Sequence, residues 1–245
     1  MNQTKNTCNL YLNSKTALKQ LSGTSDCIFD FNNLPIEDGD IYVSVQSAQI
    51  PGTFYNIDDI NNLLVYNVNG GANINLVIPQ SNYNVNTLKT YLQSVMTGFT
   101  ITFNSQSNKY TFTHATNVFS FKSTSTAFEY LGFQDGQTYN STGLSLTSSQ
   151  VVNFFTIRNV LVEVSNLMTI NKTSDPANAN ASILCSIPVN TSQGSILSYS
   201  NIYNLSDRVA SVNNFAVLHV RLLDQDLDLL DLNGSNWSIT LQLSF

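Results

Sequence analysis

An all-β sandwich is the fold class this sequence predicts, on three observations. Most segments alternate apolar and polar residues with a period of two, which puts one strand face into a core. Turn formers, Asn-Gly among them, separate these segments. Helical spacing is confined to two short stretches. Eight to ten strands in one compact unit of 245 residues fit a single jelly roll of two Greek keys, with another Greek-key sandwich as the alternative.

The elements follow in chain order. In "DIYVSVQSAQI" (40–50), Ile41, Val43 and Val45 share one face and Tyr42, Ser44 and Gln46 the other. "NLLVYNV" (62–68), the turn Asn69-Gly70-Gly71 and "NINLVI" (73–78) read as a hairpin. "NVNTLKTYLQSVM" (84–96) sets Val85, Leu88, Leu92 and Val95 at helical spacing, with Asn84 or Asn86 as the cap. "FTITF" (99–103) and "KYTFT" (109–113) form a second hairpin across "NSQSN", and "VFSF" (118–121) continues the meander. "STAFEYLGF" (125–133) reads as one or two helical turns ended by Gly132. Strands follow at 159–167, 182–189 and 215–223, with the loop "TSDPANANA" (173–181) between the first two. Pro51, Pro79 and Pro188 each fall at a strand end, where a missing N–H costs least.

The last strand ends the chain on an apolar face: Trp237, Ile239, Leu241, Leu243 and Phe245. Chain ends fray unless held, so this strand is expected inside a sheet, flanked on both sides, with Trp237 as a core anchor. Residues 1–39 carry only weak strand signal, at "CIFDF" (27–31). They are expected to form an N-terminal arm or extension to a single jelly-roll domain at 40–245, so that deleting residues 1–25 would spare folding.

Composition limits the function classes. Charged residues make up 11% of the chain against roughly 25% in an average soluble domain. Asn, Ser and Thr fill the polar positions, which suits a surface packed against other copies. The ten Lys and Arg are scattered and the formal charge is −6, so no nucleic-acid surface is expected. Cys8, Cys27 and Cys185 form no paired motif and read as free thiols, reduced in native material. The first residues carry no apolar secretory segment, and no stretch reaches the ~20 apolar residues of a membrane span. The N-x-S/T sequons are what a chain this rich in Asn, Ser and Thr contains by chance.

No catalytic constellation is visible. His114 follows Tyr110 and Phe112 on one strand face and reads as a boundary residue among aromatics. His219 shares its face with Phe215, Val217 and Arg221 and reads as a hydrogen-bonding residue of the sheet or of a subunit contact. No nucleophile motif accompanies either histidine. A glycosidase would need two carboxylates across a groove. Asp38, Asp40, Asp58 and Asp59 occupy turns, and Glu163 is a lone strand carboxylate. Asp224, Asp226 and Asp228 have D-x-D-x-D spacing and are the one weak metal candidate. The helical calcium loop fails there, because Leu229 and Ser235 stand where Gly and Glu are required. No catalytic residue, cofactor site or metal is therefore assigned, and the chain is read as a non-enzyme.

Six strings occur in order: "QIPGTFYNI" (49–57), "LVIPQSNYNVNTLKTYLQ" (76–93), "NKYTFTHATNVFSF" (108–121), "EYLGF" (129–133), "SILCSIPVNTSQGSILSY" (182–199) and "LLDLNGSNWSITLQLSF" (229–245). From about residue 40 onward the chain resembles the single jelly-roll penton (vertex capsid) proteins of virophages, Polinton-like viruses and nucleocytoplasmic large DNA viruses. The resemblance implies a structural protein standing upright in the shell of a double-stranded DNA virus, a homopentamer at each icosahedral vertex. Its neighbours would be major and minor capsid proteins, its location the virion, and its assembly site the host cytoplasm. It carries over no catalytic or cofactor-binding residue and no specific nucleic-acid contact. Minor capsid proteins and receptor-binding jelly rolls (fibre heads, lectin-like domains) are the alternatives. The related major capsid proteins need two tandem jelly rolls, and this chain holds one.

Overall fold

A computed structural model describes residues 6–31, 41–169, 181–203, 205, 207–212 and 216–245. The chain divides into two compact units, Met1–Phe54 with Ile157–Phe245, and Tyr55–Thr156. The first unit opens with β1 (Thr7–Asn13), β2 (Lys19–Gln20), β3 (Asp26–Asp30) and β4 (Tyr42–Pro51). The second holds β5 (Leu63–Val68), β6 (Ile74–Val77), α1 (Val85–Val95), β7 (Phe99–Asn104), β8 (Lys109–His114), β9 (Phe119–Phe121), α2 (Phe128–Leu131), β10 (Tyr139–Asn140) and β11 (Ser145–Thr147). The chain returns to the first unit with β12 (Asn159–Val164), β13 (Leu167–Thr169), β14 (Ile183–Pro188) and β15 (Ile196–Ser200). It ends with β16 (Asp207–Val212), β17 (Val217–Leu223) and β18 (Ser238–Ser244).

All strand pairings of the first unit are antiparallel, in two sheets. One has the order β1-β18-β4-β16-β13 with β15 also on β4, the other β14-β12-β17-β3-β2. With β2, β13 and β16 set aside, eight strands remain, and their pairing follows one rule. The first pairs with the eighth (β1·β18), the second with the seventh (β3·β17), the third with the sixth (β4·β15) and the fourth with the fifth (β12·β14). The whole unit is thus one long antiparallel hairpin rolled on itself, and the added pairs β18·β4 and β12·β17 close the roll. This is the two-Greek-key jelly roll. Inward side chains of both sheets share one core, from Leu10, Leu12 and Phe29 to Val162, Val220, Leu241 and Leu243.

The alternation in 40–50 changes phase halfway, and the structure shows why. Thr240 faces Ser47 and Leu241 faces Val45, so Gln46 is an extra residue in β4. This β-bulge moves the buried set from Val43 and Val45 to Ala48 and Ile50. The terminal strand lies between β1 and β4, as expected. Trp237, just ahead of it, is buried at 2% exposure. Its indole N–H donates to the Thr24 carbonyl at 2.6 Å, and its ring meets Phe29 edge-on at 5.9 Å.

Residues 6–31, the described part of the expected arm at 1–39, are not outside the domain. β1 pairs with β18 along its full length, and β3 pairs with β17. They are the first and second strands of the roll. The signal in β1 is weak because its outward positions, Thr7, Asn9, Tyr11 and Asn13, leave only Cys8, Leu10 and Leu12 to mark the core face. The expected single unit is also corrected: 62–121 does not continue the sandwich but builds the second unit. Phe215, Asp38, Asp40 and the loop 173–180 lie outside the described residues.

The second unit has its own sheets, β10-β9-β5-β6 and β11-β8-β7. Its core is aromatic: Phe99, Tyr110, Phe112, Phe119, Phe121, Phe128, Tyr130 and Phe133 are all buried. Several rings meet edge to face, such as Phe112 with Phe121 at 4.9 Å and 84°, the arrangement favoured by the ring quadrupole. The Asn69-Gly70 hairpin has positive φ at both residues (52° and 67°), as a primed turn requires. Asn84 caps α1 in a capping box with Thr87. The buried stripe of α1 passes through Leu88 and Leu92 to Met96, while Val95, expected inside, is 39% exposed. From α1, Gln93 accepts from Ile101 N–H at 2.7 Å and donates to the Phe99 carbonyl, tying the helix to β7.

Candidate functional site

The strongest cluster of reactive side chains lies on the face of the β12-β17-β3 strands that points away from the jelly-roll core. Alternation sends Val162, Val164, Val220, Leu222, Cys27 and Phe29 inward. Glu163, Ser165, His219, Arg221 and Asp26 therefore project on the opposite face. Strand register sets Glu163, Arg221 and Asp26 on one rung across three strands. Arg221 Nε donates to Glu163 Oε2 at 2.5 Å, with Glu163 buried and Arg221 partly exposed. That bond pushes the guanidinium pKa further up, against burial, which lowers it.

One step along β17, His219 stands between two partners. Its Nε2 lies 2.5 Å from Asp26 Oδ1, and its Nδ1 lies 2.7 Å from Ser165 Oγ. The carboxylate can only accept, so Nε2 carries the hydrogen; in the neutral ring Nδ1 then accepts from the serine hydroxyl. Exposure rises across the group: Asp26 is 13% exposed at its side chain, His219 is 30%, and Ser165 is open to solvent. The turn carrying Ser165 is fastened to β17. Ser165 N–H donates to the His219 carbonyl at 2.9 Å. Asn166 accepts from His219 N–H at 2.9 Å and donates to the Val217 carbonyl.

Sequence reading placed His219 as a hydrogen-bonding strand residue and found no nucleophile beside it. The structure supplies the hydrogen bonds and also brings Ser165 and Asp26 to the ring. No local motif announces this, because the residues lie on β3, on β17 and in the turn after β12, and meet only through register. Glu163 has Arg221 as its partner, not a second carboxylate. His114 is where the sequence put it, among aromatics: it is 8% exposed, meets Phe99 edge-on at 4.9 Å, and accepts from Asn117 N–H at 3.0 Å.

Asp224 staples its own loop rather than gathering a metal. Its Oδ1 accepts from Asp226 N–H at 2.8 Å and from Asp228 N–H at 3.0 Å. Burial raises its pKa, partly offset by those two bonds. Among the described residues no group of three His, Cys, Asp or Glu side chains is arranged to hold a metal ion. The described residues contain no helix long and apolar enough to cross a membrane.

A second surface feature is a loop that presents apolar side chains. Asn201, 7% exposed, donates to the Leu205 carbonyl at 2.8 Å and accepts from Leu205 N–H at 2.9 Å. Its own N–H bonds the Gln46 carbonyl on β4. The loop so held exposes Ile202, Tyr203 and Leu205.

No family model and no curated protein matches the sequence. Solved structures do match. The crystal structure of the mavirus penton protein aligns over 99% of this chain and 100% of its own, with a TM-score of 0.50 and 11% identity. The Sputnik virophage structure aligns over 96% of this chain and 97% of its matched chain, with a TM-score of 0.44 and 11% identity. The chain therefore has the fold of the mavirus penton protein, a penton-like jelly roll of antiparallel sheets with few helices.

Proposed function

We propose that this chain is a structural capsid protein of a virion and that five copies form the capsomer at an icosahedral vertex. The observation that carries the reading is the extent of the likeness to the mavirus penton protein. It spans 99% of this chain, so it takes in the inserted second unit as well as the eight-stranded roll. Jelly rolls serve many functions; one matched together with its insertion narrows the choice to capsid proteins of this build.

The surface chemistry agrees. A five-fold ring needs a heterologous contact, in which one side of the subunit meets a different side of its neighbour. With 10 basic and 16 acidic residues in 245, that contact rests on neutral polar and apolar groups, and salt disturbs it little. The loop held by Asn201 supplies one half: Ile202 and Tyr203 are 72% and 78% exposed although a buried amide fixes the backbone behind them. Neighbouring major and minor capsid proteins complete the shell, which assembles in the host cytoplasm.

Native mass spectrometry and negative-stain imaging of the purified protein test the reading. A five-membered ring that persists from about 50 mM to about 500 mM salt is expected. Tyr203→Ala should weaken the ring by ~2 kcal/mol per contact and leave the thermal midpoint of the subunit in place. A strictly monomeric protein that binds glycans would overturn the vertex assignment in favour of a receptor-binding role.

A further inference from the structure

We propose that Ser165 is an activated nucleophile, with His219 as its general base and Asp26 as the positioning residue, and that the site accepts acyl or phosphonyl groups from activated esters. This goes beyond the capsid reading and does not depend on it.

Three features carry the proposal. The distances, 2.7 Å from Ser165 Oγ to His219 Nδ1 and 2.5 Å from His219 Nε2 to Asp26 Oδ1, connect a hydroxyl, an imidazole and a carboxylate in one line. Such a constellation is recognised by geometry and roles, whatever the chain order; here the base nitrogen is Nδ1 and the carboxylate holds Nε2. The exposure gradient fits the same roles, because the carboxylate is the most enclosed member and the hydroxyl the most open. The serine is also held in place: Ser165 N–H and both ends of the Asn166 amide bond the β17 backbone around His219. Fixed placement spares the reaction the entropy of bringing nucleophile and base together. Arg221 donates from its Nε to Glu163 and is also attracted through space to Asp26 on the same rung.

The chemistry balances without a cofactor. Ser165 Oγ attacks the acyl carbon of an activated carboxylic ester while its proton passes to His219 Nδ1. The Oγ–acyl bond forms, the ester C–O bond breaks, and the leaving alcohol takes the proton from His219. Water then attacks the acyl-serine, gives its proton to Nδ1, and releases the carboxylic acid as Oγ is reprotonated. With a fluorophosphonate the first half occurs alone: an Oγ–P bond forms, fluoride leaves, and the adduct is stable.

The test is labelling of the full chain with a fluorophosphonate probe, read by intact mass and peptide mapping. A single adduct on Ser165 is expected, absent in Ser165→Ala, a substitution at an exposed position. His219→Gln should slow labelling by at least ~100-fold, the usual worth of a general base, with its fold checked by circular dichroism. Asp26→Asn should slow labelling by favouring the wrong tautomer, and Asp26→Glu should restore part of the rate, which a merely structural role would not do. An unlabelled wild-type protein, an adduct spread over other serines, or a His219→Gln variant that labels as fast as wild type would each overturn the proposal.

Discussion

Trp237→Ala removes the largest side chain of the jelly-roll core, and its cost can be built from three contacts. The indole is 2% exposed, and truncating a buried Trp costs ~3–5 kcal/mol in transfer and cavity terms. The Thr24 carbonyl loses its 2.6 Å donor and keeps the Cys27 thiol, a weak donor at 3.2 Å; that adds ~1 kcal/mol. The edge-on pairing with Phe29 accounts for part of the first figure and is not added again. A loss of ~4–6 kcal/mol lowers the thermal midpoint by roughly 8–24 °C in a chain of this size. Trp237→Phe keeps a ring against Phe29 but lacks the N–H, so it should fall between, at ~1–3 kcal/mol. Trp237 is the sole tryptophan, so unfolding of the variants is followed by far-ultraviolet circular dichroism in urea. An Ala variant within ~2 °C of wild type would refute the reasoning, since no buried anchor is that cheap. If Phe proves as damaging as Ala, the N–H bond rather than burial is what anchors the ring.

Other outcomes follow from the same contacts. Deleting residues 1–25 removes β1 and β2 and uncovers one edge of β18, so the product should be insoluble or lack a cooperative transition; a soluble variant with wild-type circular dichroism would contradict the topology. Gly132→Ala should cost well over ~1 kcal/mol, measured by its urea midpoint. At φ +76° the added Cβ would sit 2.5 Å from the Gln150 carbonyl oxygen and 2.9 Å from Ser148 Oγ. The Cys27 thiol is pushed up to about 11, first by burial and then by the charge of Asp26. A raised pKa means less thiolate, so at pH 8 iodoacetamide should modify Cys8 and Cys185 before Cys27, with all three reacting in denaturant; early loss of Cys27 would count against the placement of β3.

Where the physics is local, the sequence was legible. The Asn69-Gly70 turn, the Asn84 cap and the Gly132 helix end each depend on a few adjacent residues. The burial of β18 was readable because its alternating face, Ile239, Leu241 and Leu243, needs a core to cover it. The phase change in β4 was present in the sequence as Val43, Val45, then Ala48, Ile50, but only the partner strand identifies Gln46 as the extra residue. Two misreadings have one cause. β1 was assigned to an arm because its fate depends on β18, and β5–β9 were assigned to the main sandwich because alternation does not say which core a strand faces. The Ser165, His219 and Asp26 group was invisible for the same reason, as it exists only once the registers of β12·β17 and β17·β3 are fixed.

The nested pairing of the roll also orders its folding. Joining β1 to β18 brings together residues as far apart as Asn9 and Gln242, 233 positions along the chain. Closing a loop of that length in one step costs ~5 kcal/mol of chain entropy. The β12·β14 pairing closes a far shorter loop, and β17 then joins β12, so each later closure starts from ends already drawn close. Folding therefore runs outward from the middle strands, and β1 waits until β18 has been synthesised. At roughly 5–20 residues per second, β1 remains unpaired for about ten seconds or more on the ribosome, a long exposure for an edge whose strand carries no charge to deter wrong partners. Pulsed hydrogen exchange should find β12 and β14 protected before β1; the reverse order would mean that the roll closes from its ends.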